Sequence, residues 1–96
     1  MTTPQAPANH FTLLYFASAT SFTRKQHEFL PAPLPLAQLY GLLEQKYPGF
    51  QAKVLESSAL TMNLEYVDVE EGAKGQQGVV IQAGDEVAVI PPVSSG

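Results

Sequence analysis

The sequence predicts an α+β domain: a mixed sheet packed on one main helix. Three observations carry this. Near each end lies a short apolar run, with Phe11, Leu13, Leu14, Tyr15 and Phe16 in one and Val87, Ala88, Val89 and Ile90 in the other. In mid-chain, Leu36, Leu39, Tyr40, Leu43 and Tyr47 fall at the spacing of a single helical stripe. After it, Leu60, Met62, Leu64 and Tyr66 alternate with polar residues, the period of a half-buried strand.

Taken in order, residues 1–9 are rich in Pro, Ala and Thr and read as a short disordered leader. They lack the basic start and apolar core of a signal peptide. Residues 10–17 form the first strand. Phe11, Leu13 and Tyr15 share one face and Leu14 and Phe16 the other, so both faces are apolar, as suits the middle of a sheet. Residues 17–23 are small and polar and predict a loop. Residues 25–30 return as a second strand, making a hairpin that Pro31, Pro33 and Pro35 break. Pro35 then suits the first helical position, where its missing N–H costs nothing. The helix stops at Tyr47, because Pro48 disfavours helical geometry before it and Gly49 suits a turn. Residues 50–57 predict a short helical turn carrying Phe50, Val54 and Leu55 inward. Residues 60–66 are one strand, residues 68–78 a long exposed loop, and residues 79–81 a short strand. Gly84 is the position for positive φ in the turn at 82–85. Residues 86–90 are the last strand. As the two most apolar strands, the first and last are expected side by side at the centre of the sheet.

Composition narrows function mostly by exclusion. Ninety-six residues make one domain. The net charge is −4 and the only adjacent cations are Arg24 and Lys25, which disfavours nucleic acid as a partner. No apolar run approaches the roughly 20 residues of a membrane span. There is no cysteine, hence no disulfide, thiolate nucleophile or Cys-ligated metal; this fits a cytoplasmic protein. His10 and His27 are isolated and make a poor metal site. No serine stands in a Gly-x-Ser-x-Gly context. Gly72, Gly75 and Gly78 lie in an acidic loop without the Lys-Ser/Thr of a phosphate cradle. The tyrosines at 15, 40, 47 and 66 suit core and core-edge positions. Nothing points to an enzyme acting alone.

That leaves Pro91, Pro92, Val93, Ser94, Ser95 and Gly96. Two prolines end the last strand and stay extended. Small residues follow, and Gly96 has no Cβ. Six residues span roughly 20 Å at about 3.3–3.6 Å each. On shape alone the stretch reads either as a frayed terminus or as a strip thin enough to enter another protein's pocket.

Gly84, Asp85, Glu86 and Val87, the apolar strand, then Pro91, Pro92, Val93, Ser94 and a final Gly96 resemble the C-terminus of the small-subunit family of molybdopterin synthase. Leu13 to Ala17, the helix ending Lys46, Tyr47, Pro48 and Gly49, and Glu65, Tyr66 and Val67 are similar to that family as well, so the likeness spans residues 11–96. It implies a β-grasp, ubiquitin-like body over residues 10–90 and a flexible functional tail over 91–96. It further implies that an activating enzyme uses ATP to adenylate the Gly96 carboxylate. Sulfur then replaces AMP to leave a thiocarboxylate. The loaded tail, residues 91–95, enters the large subunit and Gly96 gives its sulfur to cyclic pyranopterin monophosphate. Two transfers build the dithiolene of molybdopterin. The assembly implied is a heterotetramer, and no cofactor or metal is bound by this chain itself. Related β-grasp carriers for thiamine or tRNA thiolation, and an inert interaction module, are the alternatives. Val93 and Phe16 are candidates for the partner interface. Two features depart from the family: Ser95 stands where Gly is usual, and the 68–78 loop is long, as a solvent-facing insertion would be.

The residues agree with this chemistry. A C-terminal carboxylate, with a pKa of about 3.3–3.7, is ionised and a poor electrophile at neutral pH. It needs activation, for which the sequence has no ATP site. A narrow tail with few polar side chains suits a pocket that excludes water.

Overall fold

A computed structural model describes residues 5–67 and 79–92. The chain enters through a turn in which the Pro7 carbonyl accepts the His10 N–H at 3.2 Å. Strand β1, His10–Tyr15, follows, with Phe11, Leu13 and Tyr15 at 0–2% exposure on one face. Strand β2, His27–Pro31, pairs with it antiparallel, the expected hairpin.

The linker between them is not the expected loop. Ser18–Thr23 is a helix, α1. Apart from Ala19 its residues are weak helix formers, so packing decides the matter. Ala19 is fully buried, and the Phe22 ring stacks on Phe50 with centroids 5.1 Å apart. The Thr23 hydroxyl donates to the Ala19 carbonyl at 2.9 Å.

Pro35 also differs from expectation. Leu34–Pro35 is a short strand, β3, which pairs with β6, Val80–Ile81. Pro35 therefore flanks the helix instead of opening it. A 3₁₀ turn at Leu36–Gln38 leads into α2, Leu39–Lys46. Leu36, Leu39 and Leu43 lie at 0–1% exposure, and Tyr40 and Tyr47 are half-buried, along the expected stripe. Each buried leucine contributes about 1.5–3 kcal/mol, which outweighs the roughly 1 kcal/mol that Gly41 costs the helix. Tyr47 leaves helical geometry before Pro48, and Gly49 takes φ 92°. Helix α3, Phe50–Lys53, and a 3₁₀ turn at Leu55–Ser57 bury Phe50, Val54 and Leu55 as expected.

The stretch predicted as one strand over 60–66 is a hairpin. β4 is Ala59–Met62 and β5 is Glu65–Val67. Asn63 and Leu64 sit between them at φ 54° and 71°. Positive φ at both central residues is the turn whose twist matches flanking antiparallel strands. Asn63 is anchored from outside the hairpin: its N–H donates to the Glu86 carbonyl at 2.7 Å and its Oδ1 accepts the Glu86 N–H at 3.0 Å. Alternation past Met62 was therefore misleading. Leu64 is 86% and Tyr66 78% exposed, so Tyr66 is neither core nor core edge.

The last strand, β7, Glu86–Ile90, follows a turn with Gly84 at φ 87°. The five-stranded sheet runs β2-β1-β7-β4-β5. β1 and β7 are neighbours, as expected, with β7 central, and they run parallel. Phe11, Leu13, Leu30, Leu60, Val87 and Val89 pack against Leu36, Leu39, Leu43, Phe50 and Leu55. Among the described residues no helix is long and apolar enough to cross a membrane. The 68–78 loop lies outside the described residues.

Candidate functional site

β1 and β7 run parallel, so their C-terminal ends meet at one end of the sheet. Two contacts mark where β7 leaves it. The Phe16 N–H donates to the Val89 carbonyl at 3.2 Å, and Ile90 lies opposite Ala59, the first residue of β4. Both flanking strands thus pair no further than Ile90. Pro91 is buried and Pro92 is exposed. Val93, Ser94, Ser95 and Gly96 lie outside the described residues.

What ends β1 at this level is Ala17. Its φ of 51° and ψ of −126° belong to a region glycine enters readily and alanine does not. Its carbonyl accepts the N–H groups of Thr20 at 3.0 Å and Ser21 at 3.3 Å, so the kink starts α1. The chain turns away from β7 there, and Phe16 is left 46% exposed.

Register places a second set of residues on the sheet face opposite the core. One row runs His27, Leu14, Ala88, Thr61 and Tyr66; beside it Ile90 faces Ala59. His27 and Phe29 confirm the shared face, with rings 5.4 Å apart. Leu14, Phe29 and Ile90 are half-buried, and Phe16 and Tyr66 are exposed. The helices' buried residues join the core on the other face. The strand that carries the tail therefore lies in the middle of an outer face that is apolar near the tail, at Leu14, Ala88 and Ile90, and polar toward the other end, at Thr12 and Glu86.

On the core side, the same end of the sheet holds one carboxylate. Glu28, 9% exposed, accepts hydrogen bonds from the Tyr15 hydroxyl and, at 2.7 Å, from the Tyr47 hydroxyl. Lys25 Nζ and Lys46 Nζ approach its Oε1 to 3.6 and 3.4 Å. Burial pushes this carboxyl upward, but the two hydroxyls and the two ammonium groups outweigh it and hold it below the usual range. Burial and Glu28 together push the Tyr15 hydroxyl far above its ordinary value. Tyr47 shifts the same way for the same causes. The group joins β1, β2 and α2, which no sequence spacing relates. Its one sequence signal was an isolated Glu28 at an inward position of β2.

These groups position rather than react. Glu28 is saturated by donors. Glu44 is occupied too, accepting the Gly49 and Gln51 N–H groups at 2.8 and 2.9 Å, which holds its carboxyl low. Among the described residues no three His, Asp or Glu side chains gather to hold a metal ion. The arrangement presents a strand end beside a carboxylate already engaged by its neighbours.

The ThiS family model matches residues 13–96. The chain is 53% identical over 96 residues, all of both chains, to the molybdopterin synthase sulfur carrier subunit of Phaeosphaeria nodorum. Its fold is similar to SAMP1 from Haloferax volcanii at a TM-score of 0.70 and 19% identity, over 91% of this chain and 99% of that one. It is also similar to a chain in the complex of subunits 1 and 2 of molybdopterin-converting factor from Helicobacter pylori 26695. There the TM-score is 0.60 and the identity 21%, over 91% of this chain and 99% of that one. These likenesses show the β-grasp fold expected from the sequence.

Proposed function

The chain belongs to the ThiS family, and on that premise we propose that it is the sulfur carrier subunit of a molybdopterin synthase. The full-length similarity to a sulfur carrier subunit carries this reading. The geometry supports it, since β7 is central, is followed by two prolines and has flanking strands that pair no further than Ile90.

Residues 10–90 act as the body, residues 91–96 as the tail, and residues 1–9 stand outside the chemistry. In the activating step a Gly96 carboxylate oxygen attacks the α-phosphorus of ATP on a separate enzyme, and pyrophosphate leaves. Hydrosulfide-level sulfur then attacks the acyl carbon and expels AMP, and loss of its proton leaves a thiocarboxylate; where the sulfur arrives as a persulfide, a thiol on the activating side must also cleave the sulfur–sulfur bond of the adduct. In the large subunit, that sulfur bonds to a side-chain carbon of cyclic pyranopterin monophosphate as a carbon–oxygen bond there breaks and the oxygen leaves as water or as phosphate oxygen. Water cleaves the remaining acyl–sulfur bond and returns the carboxylate. Two rounds supply the two sulfurs of the dithiolene. The body contributes neither acid nor base. It holds the tail base, and the apolar outer face with Phe16, Leu14, Ile90 and Tyr66 gives the large subunit a surface beside it. Ser95 places a Cβ and hydroxyl next to the reacting residue, so the receiving channel has to admit a side chain there for transfer to proceed. Because activation consumes ATP, the cytoplasm is the compartment this reading assigns.

Intact-mass measurement after incubation with activating enzyme, ATP and a sulfur donor tests the proposal. The chain should gain the mass difference between sulfur and oxygen, and deletion of Gly96 should abolish the gain. An unchanged mass, under conditions that load a relative's carrier, would refute it.

A further inference from the structure

Leu64 burdens the free chain with a conformation that the fold does not require of a leucine. It holds the second central position of the β4–β5 turn at φ 71°. Turns with positive φ at both central residues favour Asn followed by Gly, because a left-handed conformation crowds a Cβ against the backbone. Asn63 suits the first position and secures the turn. Its Oδ1 accepts the Glu86 N–H at 3.0 Å, and its Nδ2 donates to Asp85 Oδ1 at 3.2 Å. Leu64 has the kind of side chain that the second position resists. The core gains nothing from it, since it is 86% exposed and absent from the core cluster and from the residues packed on that cluster.

The turn borders the face that carries the tail's strand. β5 is an edge of the sheet, and Tyr66, two residues beyond Leu64, lies on the outer face opposite Thr61 at 78% exposure. Away from the tail the centre of that face turns polar, at Thr12 and Glu86. Along the β5 edge, exposed apolar residues continue instead from Tyr66 to Leu64. Among the described residues the exposed large hydrophobics are Phe16, Leu64 and Tyr66. Phe16 stands by the tail's exit, and the other two stand at this edge. A lone exposed leucine is ordinary. One held at positive φ, beside an exposed tyrosine, in a turn that another residue secures, is placed for a partner.

We propose that Leu64 is a docking contact for the large subunit, an apolar side chain that enters an apolar socket on that partner. The proposal rests on the sulfur-carrier reading, in which the large subunit receives the tail and covers the face beside it. Reach argues that the same partner covers Leu64. Met62, the last residue of β4, lies opposite Val87, three residues before Ile90. At about 3.3–3.4 Å per residue, the turn is roughly 10 Å from the tail's base. An interface of standard size covers about 800 Å² on each partner, a patch roughly 30 Å across. A large subunit seated on the outer face at Ile90 and Tyr66 therefore meets Leu64 within a patch of ordinary size. Truncating a side chain desolvated in such an interface weakens binding, whereas the same truncation in the free chain relieves the turn.

Two measurements with opposite signs test this. Urea titration of Leu64→Gly and Leu64→Asn should give midpoints at or above the parent's, since both residues accept positive φ. Calorimetric titration of the same variants with the large subunit should give a Kd raised by about tenfold. Leu64→Met, which keeps the apolar bulk, should bind within about threefold of the parent. The asparagine variant keeps a side chain on the turn, so its loss of affinity does not trace to a loosened hairpin. A Kd that ignores the glycine and asparagine variants, an equal loss in the methionine variant, or a weakened Kd accompanied by a lowered urea midpoint would overturn the proposal. A parent chain that neither binds the large subunit nor gains sulfur under the loading conditions would instead overturn the carrier reading, and this proposal with it.

Discussion

Replacing Glu28 by Leu tests whether one buried carboxylate holds the tail's end of the fold. The Tyr15 hydroxyl, on a residue 2% exposed, would lose its acceptor. A buried donor left without a partner costs about 1–3 kcal/mol. Tyr47 is half-buried and turns to water more cheaply, at about 0.5–1.5 kcal/mol. The lysine side chains are 47% and 38% exposed, so their pairs add only about 0–1 kcal/mol each. The expected loss is about 2–4 kcal/mol, read as a lower urea midpoint at unchanged slope at pH 7. Tyr15→Phe in the same chain removes the stranded donor and should return about 1–2 kcal/mol, because an apolar replacement of both partners leaves nothing unsatisfied. The single and double variants together therefore separate a stranded hydroxyl from a plain packing defect. Glu28→Gln adds the pH dependence. A carboxyl held low in the fold contributes stability that is fully present above its unfolded value, about 4.3, and lost as pH falls through the folded value. The gap between parent and Glu28→Gln should therefore narrow as pH drops below about 4. Equal instability of the single and double variants, or a gap that widens in acid, would refute the reasoning.

Other outcomes follow from backbone geometry. Leu64→Gly should raise stability by about 0.5–1 kcal/mol in urea titration, since the turn needs positive φ and the side chain is 86% exposed; a loss would mean that Leu64 makes a contact the fold uses. Ala17→Gly should be neutral or stabilising by up to about 1 kcal/mol, whereas Ala17→Val should cost about 1–3 kcal/mol, because a β-branched residue resists φ 51°. Thermal melts of the pair check this, and an Ala17→Val chain as stable as its parent would show that β1 can end without the kink.

Sequence and tertiary structure divided the molecule along a physical line. Features set by forces acting over a few residues were legible. The stripe from Leu36 to Tyr47 reports helical period, Pro48 and Gly49 end it by backbone sterics, and Gly84 supplies positive φ. The doubly apolar β1 and β7 announced the sheet's centre, and Pro91 with Pro92 announced where it ends. The chemistry proposed for the tail rests on residue types at positions 91–96 and not on groups brought together by folding. Other features depend on partners far away in sequence. Helix α1 exists because Ala19 and Phe22 find the core, against weak local propensity. The Asn63 turn exists because Glu86 receives it across the sheet, and alternation alone carried the strand past that point. Glu28 looks like one charge among several in the sequence, and only folding surrounds it with residues 15, 25, 46 and 47. The sequence by itself determined a central strand running into a thin, proline-stiffened tail. The tertiary structure decided what stands around its exit: a kink that ends its neighbour, an apolar face on one side, and a charged corner on the other.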